Sequence, residues 1–238
     1  MSLWKPKRFW KETNVAEAEG GGFTVLLDTR PVRTPAKAPM TIPTRALAEA
    51  VAEEWEAQEG EVRPETMPLT RMVNSAIDMV SQRHGEVADM LAAYGETDLL
   101  CHRAEAPAEL VRRQEERWDP LLDWAAEALG ARLVPVTGVI ASEQDPQALA
   151  ELKRQTHALD AFELAAFHDL VSLTGSLILG FAAARGVRTA EEIWALSRID
   201  EDWQAELWGE DEEAAEQAEL KRRAFLDAHR AFLLLHAT

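Results

Sequence analysis

Cysteine and basic residues are scarce in this 238-residue sequence, and each shortage excludes a class of function. The one cysteine, Cys101, allows no intrachain disulfide and no cysteine-rich metal cluster, as is typical of proteins from a reducing compartment. Lys and Arg total 25 against 42 Asp and Glu, which gives a net charge of −17. Nucleic-acid-binding proteins and proteins that dock on anionic lipids both need a basic surface. The sequence therefore predicts no nucleic-acid partner and no attachment to an anionic membrane.

Long apolar runs and targeting signals are also missing from the sequence. The longest stretch without a charged residue, 170–184, has 15 residues, whereas a membrane-spanning helix needs about 20. Residues 1–10 are basic and aromatic, but no apolar run follows them, so we expect no secretory signal. Hydrophobic residues still make up 47% of the chain, which is enough for a sizeable core. The sequence thus predicts a soluble, acidic, cytoplasmic protein without membrane insertion.

The first 64 residues have the pattern of a small α+β domain. Three consecutive glycines at 20–22 and several prolines separate short apolar segments. Four of these segments are strand candidates: 7–11, 23–27, 32–34 and 40–42. Thr44 is a candidate N-cap, and the apolar residues that follow it at helical spacing up to Trp55 predict one helix. We therefore expect an N-terminal α+β domain of short strands and one helix over residues 1–64.

From residue 65 onward the apolar residues recur at helical spacing. The predicted helices are 69–80, 86–100, 107–129, 146–157, 160–184, 189–208 and 210–236. Two helix starts are marked by caps, one by Asp145 before Pro146 and one by the capping box of Thr189 and Glu192. The sequence predicts a larger all-α helical bundle domain over residues 65–238, and hence an α+β class for the whole chain.

Two polar groups in the helical part are candidates for catalysis. His168 and Asp169 are neighbours in an apolar helix, where they point about 100° apart, so they are not expected to pair with each other. Because no nucleophile motif accompanies them, we expect a buried polar pair satisfied by other hydrogen bonds. The second group, Tyr94 with Glu96 and Asp98, fits either a polar helix face or a helix break.

Cofactor sites are not expected from the motifs. The glycines at 20–22 precede no Gly-Lys-Ser/Thr and no helix, so they predict a hairpin turn rather than a phosphate-binding loop. Cys101 and His102 have no second cysteine and no histidine at ligand spacing. The sequence therefore predicts neither a metal nor an organic cofactor.

Two of the eight tryptophans interrupt an acidic run. Between Glu191 and Glu219 there are twelve acidic residues and one basic residue, with Trp203 and Trp208 among them. Such a run fits a solvated acidic face, but tryptophan is enriched in binding hot spots, so it also fits a protein-binding surface. A third interpretation places both tryptophans in the core. Three other tryptophans fall on apolar helical faces and are expected in the core: Trp118, Trp124 and Trp194.

Seven segments of the sequence together resemble one family. They are KRFWK (7–11), LDTRPVRTP (27–35), AEEWEAQ (52–58), MPLTR (67–71, with Asn74), ETDLLCHR (96–103), WDPLLDW (118–124) and LSRIDEDWQAELWG (196–209). In this order they are similar to the ATP synthase F(1) assembly chaperones that attend the alpha subunit, and the likeness covers about the whole chain. The resemblance is strongest to the bacterial members, since no transit peptide precedes residue 7.

The resemblance implies a chaperone rather than an enzyme, one that is cytoplasmic and monomeric when free. Family members bind the free alpha subunit of F(1)-ATPase and keep it soluble until a beta subunit replaces them. Their fold is a small N-terminal α+β domain followed by a larger helical domain. The family's acidic segment corresponds here to Asp200, where other members often have Glu, and to Glu201.

The predicted partner-binding surface consists of Asp200, Glu201, Trp203, Glu206 and Trp208. On a helix, Asp200, Trp203 and Glu206 share one face. Glu201 and Trp208 lie seven residues apart on a neighbouring stripe. Carboxylates around an exposed aromatic suit a partner with a mixed apolar and basic surface.

Two other functions stay open at this point. One is a small-molecule hydrolase or transferase that uses His168 or the group of Tyr94, Glu96 and Asp98. The other is a structural subunit that remains in the assembled complex.

Overall fold

The structure, a computed structural model, describes residues 7–138, 143–209 and 211–237. Its N-terminal part contains a three-stranded antiparallel sheet in the order β1–β2–β3. The strands are β1 (Thr13–Glu17), β2 (Phe23–Leu27) and β3 (Arg30–Pro31). The predicted strand at 23–27 is confirmed as β2, whereas β1 was not predicted because its short TNVAE sequence has little apolar alternation.

The other strand candidates contribute isolated bridges rather than strands. Such bridges join Lys7 to Glu61, Phe23 to Ile42 and Arg33 to Pro39. Of these bridges, only that of Phe23 with Ile42 reaches a strand of the sheet, β2.

The three glycines at 20–22 form the connection of the β1–β2 hairpin, as predicted, and all three have positive φ. At Gly22, where φ is 76°, a Cβ atom would lie 2.7 Å from the backbone oxygen of Ile42. That oxygen accepts a hydrogen bond from the N–H of Phe23 at 2.8 Å. Glycine is therefore required at residue 22 both for its conformation and for the close approach of two backbones.

Helix α1 (Arg45–Glu56) packs on this sheet. The Thr44 hydroxyl accepts a hydrogen bond from the N–H of Leu47 at 3.3 Å, which confirms the predicted N-cap. Leu47 is fully buried, and the ring of Trp55 lies edge-on to that of Trp10 with the centroids 5.4 Å apart. The N-terminal core thus forms between one face of α1 and the sheet.

The rest of the described chain is mostly helical. Its helices are α2 (Pro68–Ser75), α3 (His84–Ala92), α4 (Ala108–Ala128), α5 (Pro146–His157), α6 (Ala161–Ser172), α7 (Leu177–Ala184), α8 (Ala190–Leu196), α9 (Ile199–Trp208) and α10 (Glu212–Leu235). A π-helical turn, Ala76–Val80, continues α2, and two short parallel strands, β4 (His102–Arg103) and β5 (Val136–Thr137), pair with each other. This architecture confirms the predicted α+β class, with a small strand-containing part followed by a larger helical part.

The chain divides into two compact units. The first contains the described residues up to Arg83 together with Ala161–Ala166 and the described residues from Arg230 onward. The second contains the described residues of His84–Asp160 and Phe167–His229. The domain limits predicted from sequence, 1–64 and 65–238, stay a prediction. In the described ranges, no helix combines the length and the apolar character needed to cross a membrane.

The long apolar helix predicted over 160–184 is wrong as a single helix, because it breaks between α6 and α7. Gly175 has a φ of 68° at the break, and the Ser176 hydroxyl caps α7 by accepting the N–H of Leu179 at 2.9 Å. The helix predicted over 189–208 also divides, at Ser197, into α8 and α9. The first break falls at the short polar segment 174–176 and the second at Ser197.

Candidate partner-binding site

The acidic, tryptophan-containing segment forms helix α9, which directly follows helix α8 and ends at a glycine. The preceding helix α8 starts at the capping box of Thr189 and Glu192, as predicted. It ends at Ser197, whose hydroxyl donates a hydrogen bond to the backbone oxygen of Trp194 at 2.7 Å. Helix α9 ends at Gly209, which has a φ of 89°. The predicted site residues therefore all lie on one helix of ten residues.

One face of α9 is tied to α4 by polar side chains. The side-chain nitrogen of Gln114 donates a hydrogen bond to Asp200 Oδ1 at 2.6 Å. Arg113 donates two hydrogen bonds to the Glu206 carboxylate, at 2.7 and 2.8 Å. The same guanidinium stacks over Trp203, with its carbon 4.8 Å from the ring centroid. Bidentate pairing and cation–π stacking from one arginine hold α9 in a defined rotation against α4.

The electrostatics of this face follow from Arg113. Its hydrogen bonds hold the pKa of Glu206 below the usual range of a glutamate, and Glu206 in turn raises the pKa of Arg113. Nearby, burial raises the pKa of Asp202. Both Arg113 and Glu206 remain partly exposed, with side-chain exposures of 35% and 55%, so a partner can still reach them.

The opposite face of α9 is open and borders a groove. Glu201, Ala205 and Trp208 lie along this face and line a groove of about 700 Å³ that the N-terminal part of α10 closes on its other side. Trp208 is 82% exposed, more than any other large hydrophobic residue of the described chain. Glu201 accepts a hydrogen bond from Arg198 at 2.8 Å. An exposed indole beside carboxylates can bind a surface that is both apolar and basic.

The five predicted site residues thus fall into two sets on the two faces of α9. Asp200, Trp203 and Glu206 face α4 and have partners there, whereas Glu201 and Trp208 border the groove. Trp203 is half-buried, so it is neither a core residue nor a fully exposed one. The predicted core positions of Trp118 and Trp194 are confirmed, at 0% and 7% exposure.

Sequence analysis missed the residues of α4 that position α9. Arg113 and Gln114 lie 93 and 86 positions from the side chains that they bind. Trp118 on the same helix also holds this region, because its indole N–H donates to the backbone oxygen of Leu196 at 2.8 Å. The basic pair of Arg112 and Arg113 on an amphipathic helical pattern was the sequence signal that could have indicated them.

The group of Tyr94, Glu96 and Asp98 does not form a catalytic cluster. The segment Ala93–Thr97 is a 3-10 turn, so it is a helix break rather than a polar helix face. Asp98 is fully buried, and its carboxylate accepts hydrogen bonds from the Ser176 hydroxyl at 2.7 Å and from backbone N–H groups. Since Glu96 is exposed, the two carboxylates lie in different environments, and Asp98 acts as a structural cap.

The expectation for His168 and Asp169 is wrong in two respects. Their side chains do pair, with His168 Nδ1 and Asp169 Oδ1 2.8 Å apart. They are also not buried, since their side chains are 42% and 49% exposed. The two exposed side chains can bend toward each other although their Cβ atoms diverge, so the pair is a local surface contact.

The described residues contain no group of three or more His, Cys, Asp or Glu side chains that could hold a metal ion. Cys101 is buried, and this burial raises the pKa of its thiol to about 12, so it does not form a reactive thiolate at neutral pH.

Solved structures with this fold are similar over nearly the whole chain. The crystal structure of Atp12 from Paracoccus denitrificans is 52% identical, with a TM-score of 0.94 over 96% of this chain and 98% of that chain. An aspartate-to-lysine mutant of the P. denitrificans protein is also 52% identical, with a TM-score of 0.93 over 96% of this chain and 97% of that chain. The Atu1473 protein of Agrobacterium tumefaciens is 46% identical, with a TM-score of 0.89 over 95% of this chain and 86% of that chain.

Sequence comparison agrees with these structures. The mitochondrial protein atp12 of Schizosaccharomyces pombe is 30% identical over an alignment of 223 residues that covers 88% of this chain and 76% of that protein. A sequence model of the ATP12 chaperone protein family matches residues 7–126, which is half of the chain. The fold and these matches define the class of protein as a chaperone, and they do not support the alternative of a hydrolase or transferase. The chain belongs to the ATP12 chaperone protein family.

Proposed function

We propose that this protein is an assembly chaperone of the ATP synthase F(1) sector. It binds the free alpha subunit, prevents its aggregation, and gives way when a beta subunit takes its place. The observation that carries the proposal is membership of the ATP12 chaperone protein family together with the likeness to the alpha-attending assembly chaperones. We also propose that the protein catalyses no reaction, is monomeric when free and works in the bacterial cytoplasm.

The alpha subunit needs such a protein because its own surface makes it prone to aggregate. A subunit that awaits its partner exposes an intersubunit surface, and exposed apolar surface leads to aggregation. A chaperone that covers this surface must also release it to the proper partner. Moderate contacts tuned by charge satisfy both demands, and the acidic character of α9 suits such contacts.

The proposed contact surface includes Asp200, Glu201, Trp203, Glu206 and Trp208. Glu201 and Trp208 supply the exposed carboxylate and the exposed indole. Asp200, Trp203 and Glu206 hold α9 against α4, and the exposed parts of their side chains remain accessible to a partner. The rotation of α9 that Arg113 fixes therefore decides which carboxylates a client meets.

A pulldown tests the partner directly. Tagged protein incubated with lysate of its source bacterium is expected to recover the F(1) alpha subunit as the main stoichiometric protein. The purified ATP synthase is expected to lack this chain, because a chaperone leaves the assembled complex. Recovery of other proteins without alpha would contradict the proposal, and the presence of the chain in purified ATP synthase would favour a structural subunit.

Charge reversal tests the surface. The double substitution Asp200→Lys/Glu201→Lys is expected to weaken binding to alpha while the circular dichroism spectrum stays unchanged. Exposed charges at the edge of an interface mainly change the association rate and its salt dependence, and loss of one member of a buried pair costs about 2–5 kcal/mol.

Two further variants serve as controls for this test. Asp200→Asn removes the charge but can still accept the hydrogen bond from Gln114, so it separates charge from the packing of α9. Glu216→Lys reverses a charge on α10 at an exposed position outside the groove lining. A folded double variant that binds and protects alpha as well as the parent does would remove this segment from the interface.

A further inference from the structure

The groove between α9 and the N-terminal part of α10 has an apolar lining. We call it the α9–α10 groove, and its apolar lining includes Trp194, Ala205, Trp208, Ala214, Ala215 and Ala218. Its volume is about 700 Å³. The α10 side is fixed by Asp211, whose carboxylate accepts the N–H of Ala214 at 2.9 Å. The two helices therefore form the two walls of an open groove.

Alanine lining makes the groove suitable for a helix. Helices pack with their axes about 8–10 Å apart, and the spacing depends on the side chains at the contact. Ala214, Ala215 and Ala218 lie within about one turn of α10, and Ala205 faces them from α9. Because their side chains end at Cβ, an incoming helix can place its own larger apolar side chains between the two walls.

Trp208 forms an exposed wall of the groove. It is 82% exposed at the end of α9, and Leu207 beside it is 55% exposed. Tryptophan is among the residues that most often dominate binding energy when a partner covers them. An indole left in water next to an apolar groove is therefore the expected anchor for a bound segment.

The charge around the groove selects the partner. Its rim carries Glu201, Asp202, Asp211 and Glu219. The lining arginines Arg198 and Arg222 pair with two of these carboxylates, Glu201 and Glu219, so the rim keeps an excess of negative charge. The chain between residues 191 and 219 has twelve acidic residues and one basic residue. Such a potential attracts Lys and Arg and repels acidic segments.

We propose that the α9–α10 groove holds an amphipathic helix of the F(1) alpha subunit, one that presents apolar residues to the alanine lining and Lys or Arg to the acidic rim. This inference rests on the proposed function and adds to it the position and the chemistry of the contact. It follows the general mode in which an amphipathic helix places its apolar face in a hydrophobic groove. A second copy of this chain, with its net charge of −17, and an anionic bilayer are both disfavoured by the rim.

Two variants of the full-length protein test the groove by titration against isolated alpha subunit. Trp208→Ala removes the anchor, and Ala215→Gln/Ala218→Gln fills the channel with residues that still favour a helix. Each is expected to weaken binding at least tenfold, since truncating a hot-spot residue typically costs more than that. Leu220→Ala is the matched control because Leu220 is 57% exposed on α10 outside the groove, and it is expected to change binding less than twofold.

Binding of alpha by the parent protein distinguishes a wrong groove inference from a wrong proposed function. If the parent binds alpha and both groove variants bind equally well while remaining folded by circular dichroism, the groove inference is wrong and the proposed function stands. If the parent does not bind alpha, the proposed function fails and the groove inference fails with it.

A photo-crosslinking residue in place of Ala218 identifies the occupant independently of affinity. The expected product joins this position to a segment of alpha with helically spaced apolar residues flanked by Lys or Arg. Crosslinks to an acidic segment of alpha, to a second copy of this chain or to lipid would overturn the inference. Because only the half-buried Ala218 is replaced, this readout does not depend on the affinity of the groove variants.

Discussion

The buried carboxylate of Asp98 gives the most direct test of how the helical unit is held together. Its side chain is fully buried and accepts hydrogen bonds from the Ser176 hydroxyl at 2.7 Å and from the N–H groups of Leu100 and Ile178, both at 3.0 Å. Ser176 in turn caps α7. Asp98 therefore connects the turn before α4 to the start of α7 from inside the core.

The expected cost of Asp98→Ala follows from these three donors. Each buried polar group that loses its partner costs about 1–3 kcal/mol. Part of this cost is offset, because burial of the carboxylate is itself unfavourable and raises the pKa of Asp98. With three neutral donors left without an acceptor, we expect a net loss of about 3–5 kcal/mol. Asp98→Asn keeps one acceptor and should lose less.

Urea unfolding at pH 7, followed by circular dichroism, measures this loss as a lower midpoint with an unchanged m value. Glu216→Ala is the control, because an exposed substitution changes stability by no more than about 0.5 kcal/mol. A loss below about 1 kcal/mol for Asp98→Ala would refute the claim that this carboxylate holds the start of α7.

Three further predictions concern the hairpin, the groove rim and the domain limits. Gly22→Ala should lower the free energy of unfolding by about 2–3 kcal/mol, because its Cβ would meet the Ile42 carbonyl. Gly20→Ala, which has open space around it, should lower it by only about 1 kcal/mol, and equal losses for the two variants would contradict this. Hydrogen bonds from two arginines lower the pKa of Glu219 to about 2, so the stability that this carboxylate adds is complete above pH 4.5 and is lost as the pH falls toward 2. If the parent and Glu219→Gln differ in stability by the same amount at pH 7 and at pH 2, the pairing is disproved. Limited proteolysis with a glutamyl endopeptidase should cleave within 60–68 if the predicted domain limit lies at an exposed linker, and protection of this segment with cleavage elsewhere would reject that limit.

Local sequence signals predicted the ends of several elements correctly. Asp145 accepts the N–H of Gln147 at the start of α5, with Pro146 in the first turn, as the sequence indicated. The capping box at the start of α8 and the glycine that ends α9 are equally local. Such signals are predictable because each depends on residues within about four positions of one another.

The breaks and orientations that sequence could not predict depend on distant partners. The break between α6 and α7 falls at residues 174–176, and the carboxylate that supports the new helix start comes from 78 positions away. The rotation of α9 is likewise set by α4, 86 and 93 positions away. Helical spacing correctly separated the two stripes of α9, but it could not show which stripe meets α4 and which borders the groove.

The central claim is that this chain keeps the free alpha subunit soluble until beta replaces it, and co-expression tests it most directly. The alpha subunit is produced alone, with this protein, or with its Asp200→Lys/Glu201→Lys variant, and the soluble fraction of alpha is measured after centrifugation, before and after addition of beta. We predict that alpha is soluble only with the parent protein, and that beta releases the chaperone from it. Alpha that aggregates equally with and without the parent protein would contradict the account.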